Sequence, residues 1–309
     1  MEPKKLKFEH LRRKKLSGTK DFPAAKGRVT RSALCDGGNF GRLAPMLGCS
    51  GARDLRICSV ISLSQRMQTK LSVSIICLNE ADIIGQCLQQ AARVADEIVV
   101  VDSGSTDNTI EIAKSHGARV IHQDWLGYGK QKNFALDQCT HEWILSLDAD
   151  EVLTDALIEE IEQLDFESEV VGYRVARKLF VGDRFIVWGG YYPDYQLRLF
   201  RNSLGRFNDL AVHESVQLPA KAEIRNLKNP LDHFSYESLE QMDAAFHKFA
   251  QLSTKKRNPI LNPFRAVFNF FYTFFNKYLI RLGFLHGAMG LRLAWIHSKY
   301  SFFKYIYRI

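Results

Sequence analysis

The strongest constraint on the fold is a regular alternation of apolar runs and helix-patterned segments between residues 71 and 164. Four runs rich in Val, Ile and Leu have the length of buried strands, at residues 71–77, 97–101, 118–122 and 143–147. Each is followed by a segment with helical spacing, at residues 81–94, 107–116, 130–139 and 153–164. Such units form right-handed crossovers, so we predict an α/β fold with a mostly parallel central sheet and helices on both faces.

Polar residues stand directly after three of the predicted strands. Asn79 and Glu80 follow the first strand, Asp102 ends the second, and Asp148 and Asp150 follow the fourth. Ligands of parallel sheets bind at the carboxyl ends of the strands, so we expect these side chains to share one site. The first strand is not followed by G-x-G-x-x-G, so the sequence lacks the phosphate loop of a dinucleotide-binding fold.

The two aspartates in LSLDADE form a D-x-D pattern. Mg²⁺ and Mn²⁺ prefer oxygen ligands, usually one or two carboxylates together with substrate phosphates. Alternating side chains diverge in a regular strand, but a bend at the strand end would turn Asp148 and Asp150 toward one ion. We therefore predict a metal site here. The alternative is that Asp150 or Glu151 only caps the next helix.

The charge is divided unevenly along the chain. Residues 1–66 hold 15 Lys and Arg against 5 Asp and Glu, residues 67–254 hold 17 against 29, and residues 255–309 hold 10 against none. A nucleic-acid-binding domain carries positive charge on its own surface, but residues 67–254 are acidic. We therefore expect no nucleic-acid partner. The six cysteines include no C-x-x-C pair, which argues against zinc and thioredoxin-type sites.

Residues 1–66 differ from the rest of the chain. They are basic and rich in glycine, and they show no sustained period of 3.6 or 2 residues. We expect a disordered extension, or translated upstream sequence with Met67 as the true start. A basic arm for a membrane or nucleic acid is the alternative. Residues 67–254 are then the catalytic domain.

The stretches SVSIICLNEADIIGQCL, ADEIVVVDSGSTDNTIEIA, GARVIHQDWLGYGKQKNFALDQC and EWILSLDADE resemble family 2 glycosyltransferases of the GT-A fold. More narrowly, they resemble the lipopolysaccharide core-biosynthesis β-glycosyltransferases of Gram-negative bacteria. The resemblance runs from about residue 71 to the C-terminus. It implies a Rossmann-like nucleotide-sugar-binding fold and an inverting, metal-dependent enzyme. The expected reaction moves a hexose, with UDP-glucose as the best donor candidate, onto an inner-core heptose of lipopolysaccharide.

The resemblance also implies roles for single residues. Asn79 and Glu80 match the loop that borders the nucleotide base and ribose, and Asp102 matches the acidic residue that contacts uracil. Asp102 is alternatively a turn residue before a helix capped by Ser105 or Asp107.

Further along the chain, Lys132 and Asn133 match positions near the donor, where the usual pattern is closer to Ala-Arg-Asn. Asp148 and Asp150 match the D-x-D that binds Mg²⁺ or Mn²⁺ and, through it, the diphosphate. Arg198 alternates with leucines in a predicted strand, and it either touches the diphosphate or forms a structural salt bridge.

Two stretches compete for the general base. WGGYYPDYQLRLF contains Asp194, and FNDLAVHES contains His213 and Glu214. A carboxylate must remove the proton of the acceptor hydroxyl, and we take Glu214 as the first candidate and Asp194 as the second. His213 is expected beside the metal or phosphate, or else as a core histidine. His233, in LDHFSYES, is a weaker site candidate.

Residues 255–309 combine basic charge with fifteen aromatic residues. Polar residues recur every three or four positions between residues 262 and 277, which predicts a helix with a narrow polar stripe and a broad aromatic face. Such a helix is typical of attachment to an anionic membrane surface, here the cytoplasmic face of the inner membrane. Packing on the catalytic body or a dimer contact are the alternatives. For the whole protein, the alternatives are transfer to another lipid-linked or capsular glycan, or an inactive membrane-attached scaffold.

Overall fold

Four parallel strands form the first half of the sheet. The computed structural model describes residues 69–166, 168–209, 214–252 and 262–307. Strands β1 (Leu71–Cys77), β2 (Glu97–Asp102), β3 (Arg119–His122) and β4 (Trp143–Asp148) lie in the order β3–β2–β1–β4. Ile76 lies opposite Val101 on one side and Asp148 on the other. The polar ends of β1, β2 and β4 therefore meet at one edge, as the sequence predicted.

Helices cover both faces of this half-sheet. They are α1 (Ile84–Ala91), α2 (Thr109–Ser115), α3 (Tyr128–Asp137) and α4 (Asp155–Glu162). On one face, α1 and α4 pack on the inward side chains of β1 and β4, such as Val73 and Leu145. On the other, Ala135 of α3 packs on Ile76 and Val99. Side chains of a strand alternate between faces, so both faces of β1 are apolar and buried.

The second half of the sheet contains antiparallel strands that the strand–helix pattern does not predict. The order continues from β4 through β8 (Asp194–Arg201), β6 (Val170–Val181) and β12 (Leu231–Tyr236) to β5 (Glu151–Leu153). Strands β7 (Arg184–Phe185) and β11 (Glu223–Asn226) pair with β6, while β9 (Arg206–Phe207) and β10 (Val216–Gln217) form a separate ribbon. Strand β5 is the last strand of this order, yet only residues 149 and 150 separate it from β4 in the chain. The sheet therefore curls so that its last strand comes close to the end of β4.

The chain ends in a helical layer. Helix α5 (Leu239–Leu252) packs on α7 (Ala288–Ile306) through Met242 and Leu293. Helix α6 (Asn262–Phe275) leads through a π-helical turn (Asn276–Ile280) and a 3₁₀ turn (Gly283–His286) into α7. We call the segment from α6 to α7 the C-terminal hairpin. Among the helices of the described ranges, none is long and apolar enough to cross a membrane.

Helix α6 turns part of its polar stripe inward, whereas Arg265 is exposed. Asn262 is fully buried, and the Thr273 hydroxyl donates to Ser301 Oγ at 2.9 Å across the hairpin. Its aromatic face is exposed, with 77% of Phe264 and 68% of Phe268 accessible to solvent. We call this face the aromatic surface; it consists of Phe264, Val267, Phe268, Phe271, Tyr272 and Phe275.

Candidate active site

The loops after β1 and β2 are locked together by side chains predicted to bind the nucleotide. Asp102 Oδ2 accepts from the N–H groups of Gly104 (2.8 Å) and Ser105 (2.9 Å), so it is a turn residue, as one interpretation predicts. Asn79 has a φ of 54°, and its Oδ1 accepts from the Thr106 N–H at 2.8 Å. Glu80 is buried beside it. Contacts of these residues with a nucleotide stay a prediction.

A cluster of alternating charges lies at the end of β4. Lys132 Nζ is 2.9 Å from Asp148 Oδ1 and 2.8 Å from Glu214 Oε1. Arg198 Nη2 is 2.8 Å from Asp148 Oδ2 and also pairs with Glu151. Helix α3, strand β4, strand β8 and the segment before β10 thus bring four predicted site residues together. Lys132, Arg198 and Glu151 are all buried.

The cluster favours the ionised form of Asp148. Burial alone would raise the pKa of Asp148, but Lys132 and Arg198 outweigh burial and hold that pKa well below its usual range. Burial would likewise lower the pKa of Arg198, yet Glu151 and Asp148 raise it. Buried charges are tolerated only when paired in this way. Within the described residues, Arg198 Nε is buried and has no hydrogen-bond partner.

Asp194, the second candidate base, joins the same network through Arg177. Arg177 Nε donates to Asp194 Oδ2 at 2.9 Å, and its Nη1 is 3.3 Å from Glu151 Oε1. Gln196 Nε2 donates to the other oxygen of Asp194 at 2.8 Å. Burial would raise the pKa of Asp194, but Arg177, Gln196 and His233 together lower it below its ordinary value. Glu214 and Asp194 are therefore both paired with a cation.

Sequence reasoning missed Glu151 and Arg177 as members of the site. Glu151 directly follows the D-x-D, and the sequence suggests only a helix cap for it. The cap of α4 is instead Thr154, whose Oγ1 accepts from the Leu157 N–H at 3.3 Å. The capping interpretation of Asp150 and Glu151 is therefore wrong. Nothing in RVARK singles out Arg177, because only its register opposite Asp194 brings it to the site.

Asp150 faces a histidine across the bend of the sheet. Strand β12 places His233 opposite Glu151, and His233 Nε2 lies 3.6 Å from Asp150 Oδ1. The Ser235 hydroxyl is 2.7 Å from the same nitrogen. Carboxylate oxygens such as those of Asp150 suit Mg²⁺ or Mn²⁺, whereas an imidazole nitrogen is more typical of Zn²⁺, Cu and Fe sites. In the described part of the chain, no three His, Cys, Asp or Glu residues form a group that could hold a metal ion.

Asn133, another predicted residue, has a different contact. Asn133 binds the backbone of Phe207 with both ends of its amide, through Nδ2 to the carbonyl (2.9 Å) and Oδ1 from the N–H (2.8 Å). This pairing fixes α3 to β9, and a donor contact of Asn133 stays a prediction. His213 lies outside the described residues.

Comparison with known proteins shows the family of the chain. A family model described as "Glycosyl transferase family 2" matches residues 72–211. An uncharacterised glycosyltransferase of Rickettsia bellii is 31% identical over 243 residues, which are 74% of this chain and 82% of that protein. The chain belongs to glycosyltransferase family 2. It is thus a glycosyltransferase, and its curled α/β sheet is the GT-A fold.

Two further proteins are similar to this chain, one over a shorter stretch of sequence and one in structure. The lipopolysaccharide core biosynthesis glycosyltransferase LpsC of Rhizobium meliloti is 42% identical over 159 residues, which are 47% of this chain and 56% of that protein. The chain therefore spans little more than half the length of this relative. Staphylococcus aureus TarS 1–349 in complex with UDP-GlcNAc aligns with a TM-score of 0.43 and 19% identity, over 74% of this chain and 79% of that chain.

Proposed function

We propose that this glycosyltransferase moves a hexose from a nucleoside diphosphate sugar onto an inner-core heptose of lipopolysaccharide, with inversion at the anomeric carbon. UDP-glucose is the first donor candidate. Membership in family 2 and the identity with LpsC support the reaction class and the acceptor. The observation that carries the proposal is the cluster of Lys132, Asp148, Arg198 and Glu214 at the edge where β1, β2 and β4 end.

The residues have separate tasks in this reaction. Asp150, with His233 beside it and Asp148 close by, would hold Mg²⁺ or Mn²⁺, which when bound neutralises charge on the departing diphosphate. Lys132 is a point charge beside the same position. Glu214 removes the proton of the acceptor hydroxyl as general base, and Asp194 is the alternative. Because Arg198 pairs with Asp148 and Glu151, and Arg177 pairs with Glu151 and Asp194, we assign both arginines to holding the site rather than to the donor.

The same proposal places the protein on the cytoplasmic face of the inner membrane. The aromatic surface supports this, since a helix whose polar stripe packs on protein and whose aromatic face is exposed suits a lipid interface. The electrostatic contribution to membrane binding is smaller than the basic charge of residues 255–309 suggests. Arg292 pairs with Glu240 and Lys299 with Asp243 of α5, so these cations are already neutralised.

The test is transfer from UDP-glucose to lipopolysaccharide extracted from a strain that lacks the gene. The Asp150→Ala variant should keep its thermal unfolding midpoint and lose transfer with Mn²⁺ or Mg²⁺, because the ion loses a protein ligand. The control is Asp155→Asn, which alters a carboxylate that is 77% exposed on the first turn of α4. Unchanged turnover of Asp150→Ala would show that Asp150 does not hold the metal. Transfer to a different glycan would show that the acceptor is not the inner-core heptose.

A further inference from the structure

The loop of residues 186–193 leads directly into Asp194. It connects β7 with β8, and β8 runs antiparallel to β4. The loop therefore lies at the same sheet edge as the ends of β1, β2 and β4. In the order β2–β1–β4–β8–β6, Asn79 and Asp102 lie on one side of Asp148 and this loop lies on the other. With the nucleotide on the first side, the second side is left for the acceptor.

The C-terminal hairpin holds the backbone of this loop. His286 Nε2 accepts from the N–H groups of Val187 (3.1 Å) and Trp188 (3.0 Å). The next residue, Gly189, donates its N–H to the Arg281 carbonyl at 2.7 Å and accepts from Lys277 Nζ at 3.0 Å. Three consecutive residues of the loop are thus bound by groups that come from the turn of the hairpin.

Side chains reinforce these backbone contacts. Lys277 Nζ lies 4.3 Å from the centre of the Tyr191 ring, and Tyr191 packs edge-on against His297 of α7 at 5.2 Å. Gly190 has a φ of 73°, and a Cβ there would lie 3.5 Å from the Arg281 side chain. The path of the loop is therefore shaped by the hairpin, since the loop both bonds to it and fits closely against it.

Trp188 is the residue that this arrangement presents. Its N–H is held by His286, yet 41% of the residue is exposed. An indole ring is a large, flat and rigid apolar surface, and aromatic rings of this kind line ligand pockets and pack against the C–H face of a sugar ring. A fixed backbone with a partly exposed indole, in the loop that leads into Asp194, suits a saccharide subsite.

We propose that the loop of residues 186–193 binds the acceptor saccharide through Trp188, and that His286 of the C-terminal hairpin is a positioning residue for this loop. The inference rests on the proposed function, because it assumes that Asp148 and its neighbours serve the donor. His286 touches no reacting atom and acts through the backbone of Val187 and Trp188. The burial that lowers the pKa of His286 supports this role, since only the unprotonated Nε2 accepts hydrogen bonds.

The experiment separates acceptor binding from donor chemistry in the full-length protein. UDP-glucose is the donor, lipopolysaccharide from the deletion strain is the acceptor, and hydrolysis of UDP-glucose without acceptor is measured in parallel. We expect His286→Ala and Trp188→Ala to raise the KM for acceptor by about tenfold or more, with donor KM and hydrolysis within about twofold of wild type. His286→Gln should recover part of the loss, because its amide oxygen accepts the same N–H groups.

The matched control is Trp295→Ala, since Trp295 is 52% exposed on α7 and lies outside the loop. Its acceptor KM with detergent-dispersed acceptor should stay at the wild-type value. An unchanged acceptor KM in Trp188→Ala, or equal losses of hydrolysis and transfer in His286→Ala, would overturn the inference. If His286→Ala does not fold, Trp188→Ala decides, because it leaves the backbone contacts in place. Failure of the wild-type chain to use any nucleotide sugar would instead contradict the proposed function.

Discussion

At the scale of single residues, Arg198 shows that the stability of the site depends on pairing buried charges. It is buried between Asp148 and Glu151, and Glu151 is itself fully buried. Removing one partner of a buried pair leaves an uncompensated charge, which typically costs about 3–5 kcal/mol. We therefore expect Arg198→Met to lower the free energy of unfolding by about that amount in urea titrations followed by circular dichroism.

The control for Arg198→Met is Arg206→Met. Arg206 Nη2 is 3.4 Å from Asp137, and both side chains are about half exposed. Exposed ion pairs contribute about 0–1 kcal/mol, so this variant should unfold nearly as the wild type does. Equal losses in the two variants would contradict the view that Arg198 holds a buried network.

The choice of base is also decided by single residues. Glu214 shares Lys132 with Asp148, whereas Asp194 is held by Arg177 and Gln196, and its pKa is lowered. A lowered pKa makes Asp194 a weaker proton acceptor than an ordinary aspartate. We expect Glu214→Gln to reduce kcat by about 10²–10⁴ with donor affinity kept, measured by steady-state transfer and calorimetric UDP binding. If Asp194→Asn shows this loss and Glu214→Gln does not, the two roles are reversed.

At the scale of elements, the first half of the sheet was predictable, whereas in the second half only the strand around Arg198, which is β8, was predicted. The apolar runs at residues 71–77 and 143–147 become β1 and β4 because uninterrupted Val, Ile and Leu fill both faces of a covered parallel strand. The chain bends at residues 149 and 150, between β4 and β5, and binding of one ion by Asp148 and Asp150 stays a prediction. The pairing of β6 with β8 depends on contacts distant in sequence, and no local period reports which strands meet.

The same limit explains the errors within the site. Lys132 and Glu214 are 82 positions apart, and Arg198 and Asp148 are 50 apart, so their pairing follows from the fold and not from spacing. The resemblance to family 2 placed these residues in one site, but it did not indicate that cations would saturate Asp148. Arg177 became visible only through its register opposite Asp194.

Helix α6 carries a prediction at this scale. Full burial of a Phe side chain contributes roughly 1.5–3 kcal/mol, so Phe268→Ser should weaken binding to phosphatidylglycerol-containing vesicles by about tenfold. The measurement is co-sedimentation of the full-length protein. Leu204→Ser, in the turn after β8, alters an exposed apolar residue outside the aromatic surface and should bind as the wild type does. Equal binding by the wild type and both variants would contradict membrane attachment through the aromatic surface. The hairpin would then serve packing or dimer contact.

For the whole molecule, the two proposals above would give the hairpin both membrane attachment and positioning of the loop of residues 186–193. Its outer side carries the aromatic surface, and its turn holds the loop before Asp194. A protein attached through the outer side would present the loop at a fixed orientation to a lipid-linked acceptor. Attachment and acceptor recognition then belong to one structural unit, whereas the nucleotide-side residues belong to the other end of the sheet.

The last prediction concerns where the working chain begins. None of the residues assigned to donor, metal, base or acceptor precedes Asn79, and the match to the family model starts at residue 72. Residues 1–66, predicted to lie outside the catalytic domain, fall outside the described residues. We therefore expect a chain that starts at Met67 to keep its kcat/KM within about twofold of the full-length protein.

A second truncation, starting at residue 78, is the control. It removes β1, which pairs with both β2 and β4, and should abolish folding because the half-sheet loses its central strand. Mass spectrometry of the N-terminal peptide from the natural host then identifies the start that the cell uses, and we expect Met67. Abundant peptides from residues 1–66 together with an inactive Met67 chain would show that the basic segment takes part in function.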